Sequence, residues 1–296
     1  MNLLKKIEEP SLQIIGYVVL AFLFMYILTP LSWLFLTAFS ERGSPYLEIP
    51  ERITLDNFIA IFLGKRVGHG ISVAHPSSLY RWVINSLILA STTMILVVLL
   101  AAPASYALSR LRFRGKSVLM TALLLMGFMP MTAKMLPLFK LCKEIGFINN
   151  LIGTAVVIAS GTTPMQVWIL KGFFDHIPRD LEEQAWICGC SRLETLLRVI
   201  LPSVGPGLMV TAFMSFLSGW GSFTVPLILI RSEDVYPISV GLASIFTHVT
   251  GMEKTVAVEF ELVCALSVIY VIPAIIVYYI FRKHLMEIKL GRMEVR

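Results

Sequence analysis

Charge is scarce in this sequence. Of its 296 residues only 15% are Asp, Glu, Lys or Arg, while 56% are hydrophobic and the mean hydropathy is positive. An ordinary soluble domain carries about 25% charged residues, so that class is excluded. Cysteine is sparse too: Cys142, Cys188, Cys190 and Cys264 are scattered, and only Cys188 and Cys190 are close. No disulfide framework or zinc spacing emerges, and the pair reads as small, half-apolar residues of a packed helix. No phosphate-binding Gly-x-x-x-x-Gly-Lys-Ser/Thr occurs, because Gly115-Lys116-Ser117 lacks the upstream glycine of that cradle. ATP hydrolysis by this chain is therefore not expected, and neither a catalytic residue, a cofactor nor a metal is expected. Internal repeats and low-complexity tracts are also absent.

What is present is lipid-length apolar sequence. A helix needs about 20 apolar residues to cross a hydrocarbon core. Six stretches qualify, roughly 12–39, 82–108, 118–139, 152–173, 204–230 and 262–281. They predict an all-α polytopic membrane protein with six transmembrane helices. An even number of spans puts both termini on one side, and the Lys/Arg bias of the loops assigns the side. Lys5 and Lys6, then Arg110, Arg112, Arg114 and Lys116, then Lys171, Arg179, Arg192 and Arg198, and finally Arg282, Lys283, Lys289, Arg292 and Arg296 fall on one face. On the other, Glu41, Glu48, Glu51, Asp56, Glu233 and Asp234 offset fewer bases. Both termini are expected in the cytoplasm of a cell whose plasma or inner membrane holds the chain. The first span is longer than a signal-peptide core and lacks a small-x-small cleavage site before Glu41, so it reads as an uncleaved signal-anchor. The formal charge of +6 comes from bases dispersed along span borders, without a stripe of interleaved aromatics, which argues against a nucleic-acid partner.

Between the first two spans lies a long outer segment with Gly43, Pro45, Pro50, Gly64, Gly68, Gly70 and Pro76 around the apolar patch 58–63, where Thr54 or Asp56 would cap a short helix. It is either a plain connector or part of a docking surface for an extracytoplasmic partner. Small residues and prolines, as in Ala101-Ala102-Pro103-Ala104-Ser105, Gly161-Thr162-Thr163-Pro164 and Pro226, suit close helix packing in lipid. Lys134, between Pro130 and Pro137, is the one base clearly inside a span. Counted along a continuous helix it lies well past the midpoint and would snorkel to the outer interface, with a pathway role as the alternative. Met126, Met129, Met131 and Met135 read as packing. Trp168, Trp220 and Phe223 are candidates for stacking on a solute in a translocation pathway, with packing as the alternative.

The most informative segment joins spans four and five. Asp180 reads as a helix N-cap with Glu183 three residues on, and Glu182 adds charge favourable to a helix N-terminus. Gly189 suggests a turn or a close backbone contact. Leu193, Leu196, Leu197 and Ile200 then resume helical spacing until Pro202 stops it. The expectation is a capped helix, a bend and a second amphipathic piece at the cytoplasmic surface. On spacing alone, a generic amphipathic connector fits as well.

That segment resembles the EAA loop of ABC importer permeases: Glu183-Gln184-Ala185 and Gly189 occupy the motif positions, followed by Ile200-Leu201-Pro202 and Pro206. Gln184 stands where alanine is usual, and Cys188 where aspartate is common. The likeness extends along the chain to the sugar-importer branch, in particular to the smaller maltose-type permease subunit. It is carried by Thr54-Leu55-Asp56-Asn57-Phe58, Asn85-Ser86-Leu87-Ile88, Leu111-Arg112-Phe113-Arg114-Gly115-Lys116, Leu136-Pro137-Leu138-Phe139, Gly146-Phe147-Ile148-Asn149-Asn150, and Trp220 through Leu227 before Tyr236-Pro237 and Val240-Gly241-Leu242. Trp220-Gly221-Ser222-Phe223 lacks the Asn-acid pair that family members often carry there.

The resemblance implies a type I importer permease (MetI-like) fold. Residues 1–79 would form the cytoplasmic N-terminus, first span and extracytoplasmic segment, 80–281 a five-span permease core with the coupling loop at about 175–206, and 282–296 a cytoplasmic tail. It further implies docking on a pair of ATP-binding cassette ATPase subunits through Glu182, Glu183, Ala185, Gly189, Leu201 and Pro202. The other implied partners are a second homologous permease chain, an extracytoplasmic solute-binding protein and membrane lipid. The implied cargo is a carbohydrate or related solute; glycerol phosphate, a polyamine or an amino acid are alternatives within the class. A secondary transporter is a rival outside it, but it would need intramembrane acids or histidines as coupling-ion sites, and the six runs show no such pair. A membrane scaffold or sensor that uses the loop only for binding is another.

Overall fold

The computed structural model describes residues 2–63, 76–249 and 260–290. Gly64, Gly68 and Gly70 of the outer segment and Arg292 and Arg296 of the tail lie outside the described residues. Among the described residues the secondary structure is helical, apart from one isolated antiparallel bridge between Ser40 and Ile53. The chain forms two compact units, Met1–Pro76 with Ile245–Ile269, and Ser77–Ser244 with Tyr270–Arg296.

In the first unit, α1 (Asn2–Ala38) is a 37-residue helix, and its apolar stretch Gln13–Ala38 buries none of its most apolar window. A helix apolar all round and free of protein packing has lipid as its solvent. The chain then turns at Ser40 into α2 (Asp56–Leu63). Thr54 Oγ1 accepts from the Asp56 N–H at 3.0 Å and so caps the helix start, one of the two caps the sequence offered. The buried Asn57 amide donates to the Ala38 and Ser40 carbonyls at 3.0 and 2.8 Å. The first is a carbonyl that the end of α1 leaves without a helical partner, and the second belongs to the turn that follows.

The second unit contains α3 (Pro76–Arg110), α4 (Lys116–Phe128), α5 (Met131–Glu144), α6 (Leu151–His176), α7 (Asp180–Ile187), α8 (Arg192–Ser203), α9 (Gly205–Trp220), α10 (Thr224–Leu229) and most of α11 (Ile238–Val249), besides the C-terminal part of α12 (Phe260–Leu290). Its α6 packs along α4 and α9. One apolar core joins Val97, Ala101 and Leu108 of α3, Met120 of α4, Ala159, Val167, Leu170 and Phe174 of α6, and Ile200 of α8. A second gathers Leu89, Cys142, Ala155, Val157, Ile158, Val225 and Leu229 from α3, α5, α6 and α10.

Four described helices, in α1, α3, α6 and α12, are long and apolar enough to span alone, and there are up to six spans if each of two bent pairs counts as one. The runs at 118–139 and 204–230 are thus not the continuous helices the hydropathy predicts. The first breaks at Met129-Pro130, where α4 and α5 meet at 97°. A residue preceding proline is pushed out of the helical region, and Met129 accordingly sits at φ −68°, ψ 121°. In the second, α8 and α9 meet at 76° around Val204, and α9 ends at Trp220 before Gly221. Depth counted along a single helix therefore does not place Lys134. Its Nζ instead donates to the Met126 carbonyl at 3.2 Å, across the break and at the negative end of α4.

Candidate functional site

The α7–α8 segment grows out of α6 through Ile177-Pro178, with Ile177 extended as a pre-proline residue should be. α7 begins at Asp180, and the residue before it, Arg179, makes no side-chain cap. Asp180 is thus the first helical residue and not the N-cap the sequence suggested; with Glu182 and Glu183 it puts three carboxylates in the first turn, where the helix dipole favours them.

Of the eight residues of α7, Glu182 and Ala185 are the buried ones. They are three apart and share one face. Glu182 is not the solvated surface charge that its position suggests. Its Oε1 lies 2.5 Å from Nε of Arg110, the last residue of α3, with both side chains under a tenth exposed. A second guanidinium nitrogen of Arg110 donates to the Ile177 carbonyl at 2.8 Å. Arginine thus holds the turn before α7 by a hydrogen bond and the helix itself by a close ion pair whose Nε–H is not aligned for hydrogen bonding. Glu183, Gln184, Trp186 and Ile187 occupy the outward side, and Ile187 is 85% exposed.

Gly189 ends α7. The Cys190 N–H bonds back to the Ala185 carbonyl at 3.0 Å and the Gly189 N–H to Trp186 at 2.9 Å, the two bonds of a Schellman motif. That motif needs a left-handed residue, and Gly189 has φ +87°. No atom lies within 4 Å of where its Cβ would be, so the turn, and not a close contact, requires glycine.

Ser191 then starts α8. Its Oγ accepts from the Glu194 N–H, and the Glu194 carboxylate accepts from the Ser191 N–H at 2.9 Å. This reciprocal capping box holds the Glu194 carboxyl below its ordinary pKa, chiefly through the bond from the Ser191 backbone. The expected box at Asp180 and Glu183 is therefore found eleven residues on, at a Ser-x-x-Glu equally visible in the sequence.

Pro202 does not stop the helix. Thr195–Ile200 widens into a π-helical turn and the helix continues through Leu201 and Pro202 to Ser203. Proline removes a donor and crowds the carbonyl four residues back, and one wide turn relieves both. Thr195 and the fully buried Ile200 root α8 in the core, whereas Leu193 and Leu197 face outward, at 65% and 54% exposed. Ile187 faces outward as well, and the Arg192 guanidinium lies 5.9 Å from the Trp186 ring, bringing the start of α8 against α7.

The residues expected along a pathway sit in different surroundings. Trp168 is part-buried and donates to the Met120 carbonyl at 3.1 Å, tying α6 to α4. Trp220 is 3% exposed and stacks on Phe216 and Tyr270, so no ring face remains free for a solute. Phe223 is 40% exposed, in the break between α9 and α10.

A second polar framework in this unit was only partly legible. Asn85 donates to the Asp234 and Tyr236 carbonyls at 2.9 and 3.1 Å, and Ser86 Oγ accepts from the Ile238 N–H at 2.8 Å. Asn149, left-handed at φ 56°, accepts at its Oδ1 from the Ser232 and Arg231 N–H groups at 3.0 and 3.3 Å. Asn85, Ser86 and Asn149 were legible as family-like positions, but what they hold, the 231–238 loop, was not.

Comparison with known proteins agrees with this architecture. Over 287 residues the chain is 30% identical to the trehalose/maltose transport system permease protein MalG of Thermococcus litoralis, covering 96% of each. It is 28% identical to the galactooligosaccharides transport system permease protein GanQ of Bacillus subtilis, covering 94% of each. The arabinooligosaccharides transport system permease protein AraQ of Halalkalibacterium halodurans is 26% identical over 91% of each. Among solved structures, a bacterial ABC transporter involved in the import of the acidic polysaccharide alginate shares the fold, with a TM-score of 0.76 at 21% identity over 94% of this chain and 98% of that one. Residues 66–286 match the model of the binding-protein-dependent transport system inner membrane component, and the chain belongs to that family of membrane transport permeases.

Proposed function

We propose that this chain is the membrane-spanning permease subunit of an ATP-driven importer that moves a carbohydrate delivered by an extracytoplasmic binding protein. The observation that carries the reading is the α7–α8 surface. It is a rooted, twice-capped helical hairpin that presents Glu183, Trp186, Ile187, Leu193 and Leu197 outward. Exposed aromatic and aliphatic anchors beside charge are what a docking interface uses. Two ATPase subunits dock there and supply the energy, a second homologous permease completes the pathway, and both termini lie in the cytoplasm. The segment 80–281 acts as the permease core, 1–79 brings the first span and the outer segment, and 282–296 is a cytoplasmic tail. Glu182, Ala185, Gly189, Leu201 and Pro202 shape the coupling loop, and Phe223 is the aromatic best placed to meet solute. Support for carbohydrate as cargo comes from the relatives, three of which are named for sugar or oligosaccharide transport.

The test is reconstitution of the chain in lipid vesicles with the ATPase, partner permease and binding protein from its own source. Uptake of maltose, trehalose and galacto-oligosaccharides is then followed with and without ATP. Uptake of one of these that requires ATP and is lost in Glu183→Ala is expected. Uptake without ATP, driven by an ion gradient, would return the protein to the secondary transporters.

A further inference from the structure

Glu182 is one of only two buried residues in α7, so half of that helix's anchorage is a carboxylate. Its partner Arg110 is the final residue of α3, a helix that runs from Pro76 through the apolar stretch Tyr80–Arg110. Arg110 holds Glu182 at 2.5 Å and the Ile177 carbonyl at 2.8 Å, gripping α7 and the turn that leads into it. Ser109, the preceding residue, donates to Asp175 of α6 at 2.6 Å, which fixes the base on which Arg110 stands.

Apolar side chains can slide over one another with little loss, whereas here one guanidinium makes a buried ion pair with Glu182, close in distance though its Nε–H is not aligned on Oε1, and a directed hydrogen bond to the Ile177 carbonyl. Burial removes the water that would otherwise let the pair part and re-form. We propose that the Arg110–Glu182 pair is the joint through which displacement of α7 is handed to α3, so that the two move as one body. This rests on reading α7–α8 as the surface on which the ATPases act. Both residues are positioning residues: they touch no solute and no nucleotide, and act by fixing α3 to α7.

The test uses the full reconstituted assembly. Spin labels are placed at the exposed Cys188, at the end of α7, and at Leu99→Cys on α3, with the other cysteines of the chain replaced by serine. The distance between the labels is measured without nucleotide and with ATP and vanadate. In the otherwise native chain it is expected to stay fixed. In Arg110→Lys, which keeps the buried charge compensated but gives up the fork, it is expected to shift or broaden on ATP–vanadate binding. The double variant R110M/E182L, which leaves no buried charge and so guards against misfolding, is expected to behave the same way. A native distance that changes between the two states overturns the joint, and so do variant distances indistinguishable from native in both. Failure of the docking reading looks different: Ile187→Asp with Leu193→Asp would then leave the ATPase subunits co-purifying with the chain.

Discussion

Trp220 and Tyr270 are tied to each other twice. The Trp220 indole N–H donates to the Tyr270 carbonyl at 3.2 Å, the Tyr270 hydroxyl donates to the Trp220 carbonyl at 3.1 Å, and the rings stack 5.5 Å apart. This reciprocal pair joins α9 to α12 where a solute-stacking role had been open for Trp220. Tyr270→Phe removes one bond and is expected to destabilise the chain by about 1 kcal/mol, as single hydrogen bonds inside membrane proteins do. Trp220→Ala opens a cavity as well, at a cost of about 3–5 kcal/mol. Thermal unfolding of the purified assembly reads both, and the KM for solute is expected to be unchanged in Tyr270→Phe.

Phe223 gives the contrasting outcome. It is part-exposed beside Gly221 and Ser222, which carry no side chain able to replace it. Phe223→Ala is expected to leave thermal stability nearly unchanged and to raise the KM for uptake several-fold, as loss of one stacking face does. An unchanged KM would remove Phe223 from the pathway.

Gly189 tests the turn. Because nothing crowds its Cβ position, the penalty of substitution is purely conformational, about 1–2 kcal/mol for a left-handed residue that is not glycine. Gly189→Asn is expected to be the mildest change and Gly189→Val the most damaging, since asparagine tolerates this conformation and β-branched residues do not. Co-purification of ATPase subunits should follow that order. Equal losses for Asn and Val would point to a steric contact with a partner instead of the turn.

These positions also show what sequence conveys about such a chain. α1, α3, α6 and α12 were legible because a long apolar run and a long helix are the same object in lipid. The breaks at Met129-Pro130 and Gly221 were not, because hydropathy does not report direction and both sit inside long apolar runs. Gly189 and the amphipathic α8 were legible because turn chemistry is local. The fate of Glu182 was not: its neighbours in sequence describe a surface helix, and the Arg110 that buries it comes from the end of another helix. Pro202 reads as a stop because proline forbids an ordinary α-turn, and the π-turn before it is a remedy that a periodicity count does not contain.

Gly219 and Gly161 are expected to respond to alanine in opposite ways. At Gly219 of α9 a Cβ would lie 2.7 Å from the Ala90 Cα and 3.1 Å from Thr93 of α3. The closest neighbour is backbone, so relief requires the helices themselves to separate, and packing lost over that crossing is expected to cost about 1–3 kcal/mol. At Gly161, inside α6, nothing lies within 4 Å of the added carbon. There alanine restricts the unfolded chain and suits the helix, a gain of about 0.5–1 kcal/mol. Melting of the purified single chain in detergent should therefore fall for Gly219→Ala and rise for Gly161→Ala. If Gly161→Ala melts higher alone yet assembles poorly with the second permease, the open face of α6 at Gly161 belongs to that interface, and close approach by the partner is what keeps glycine there.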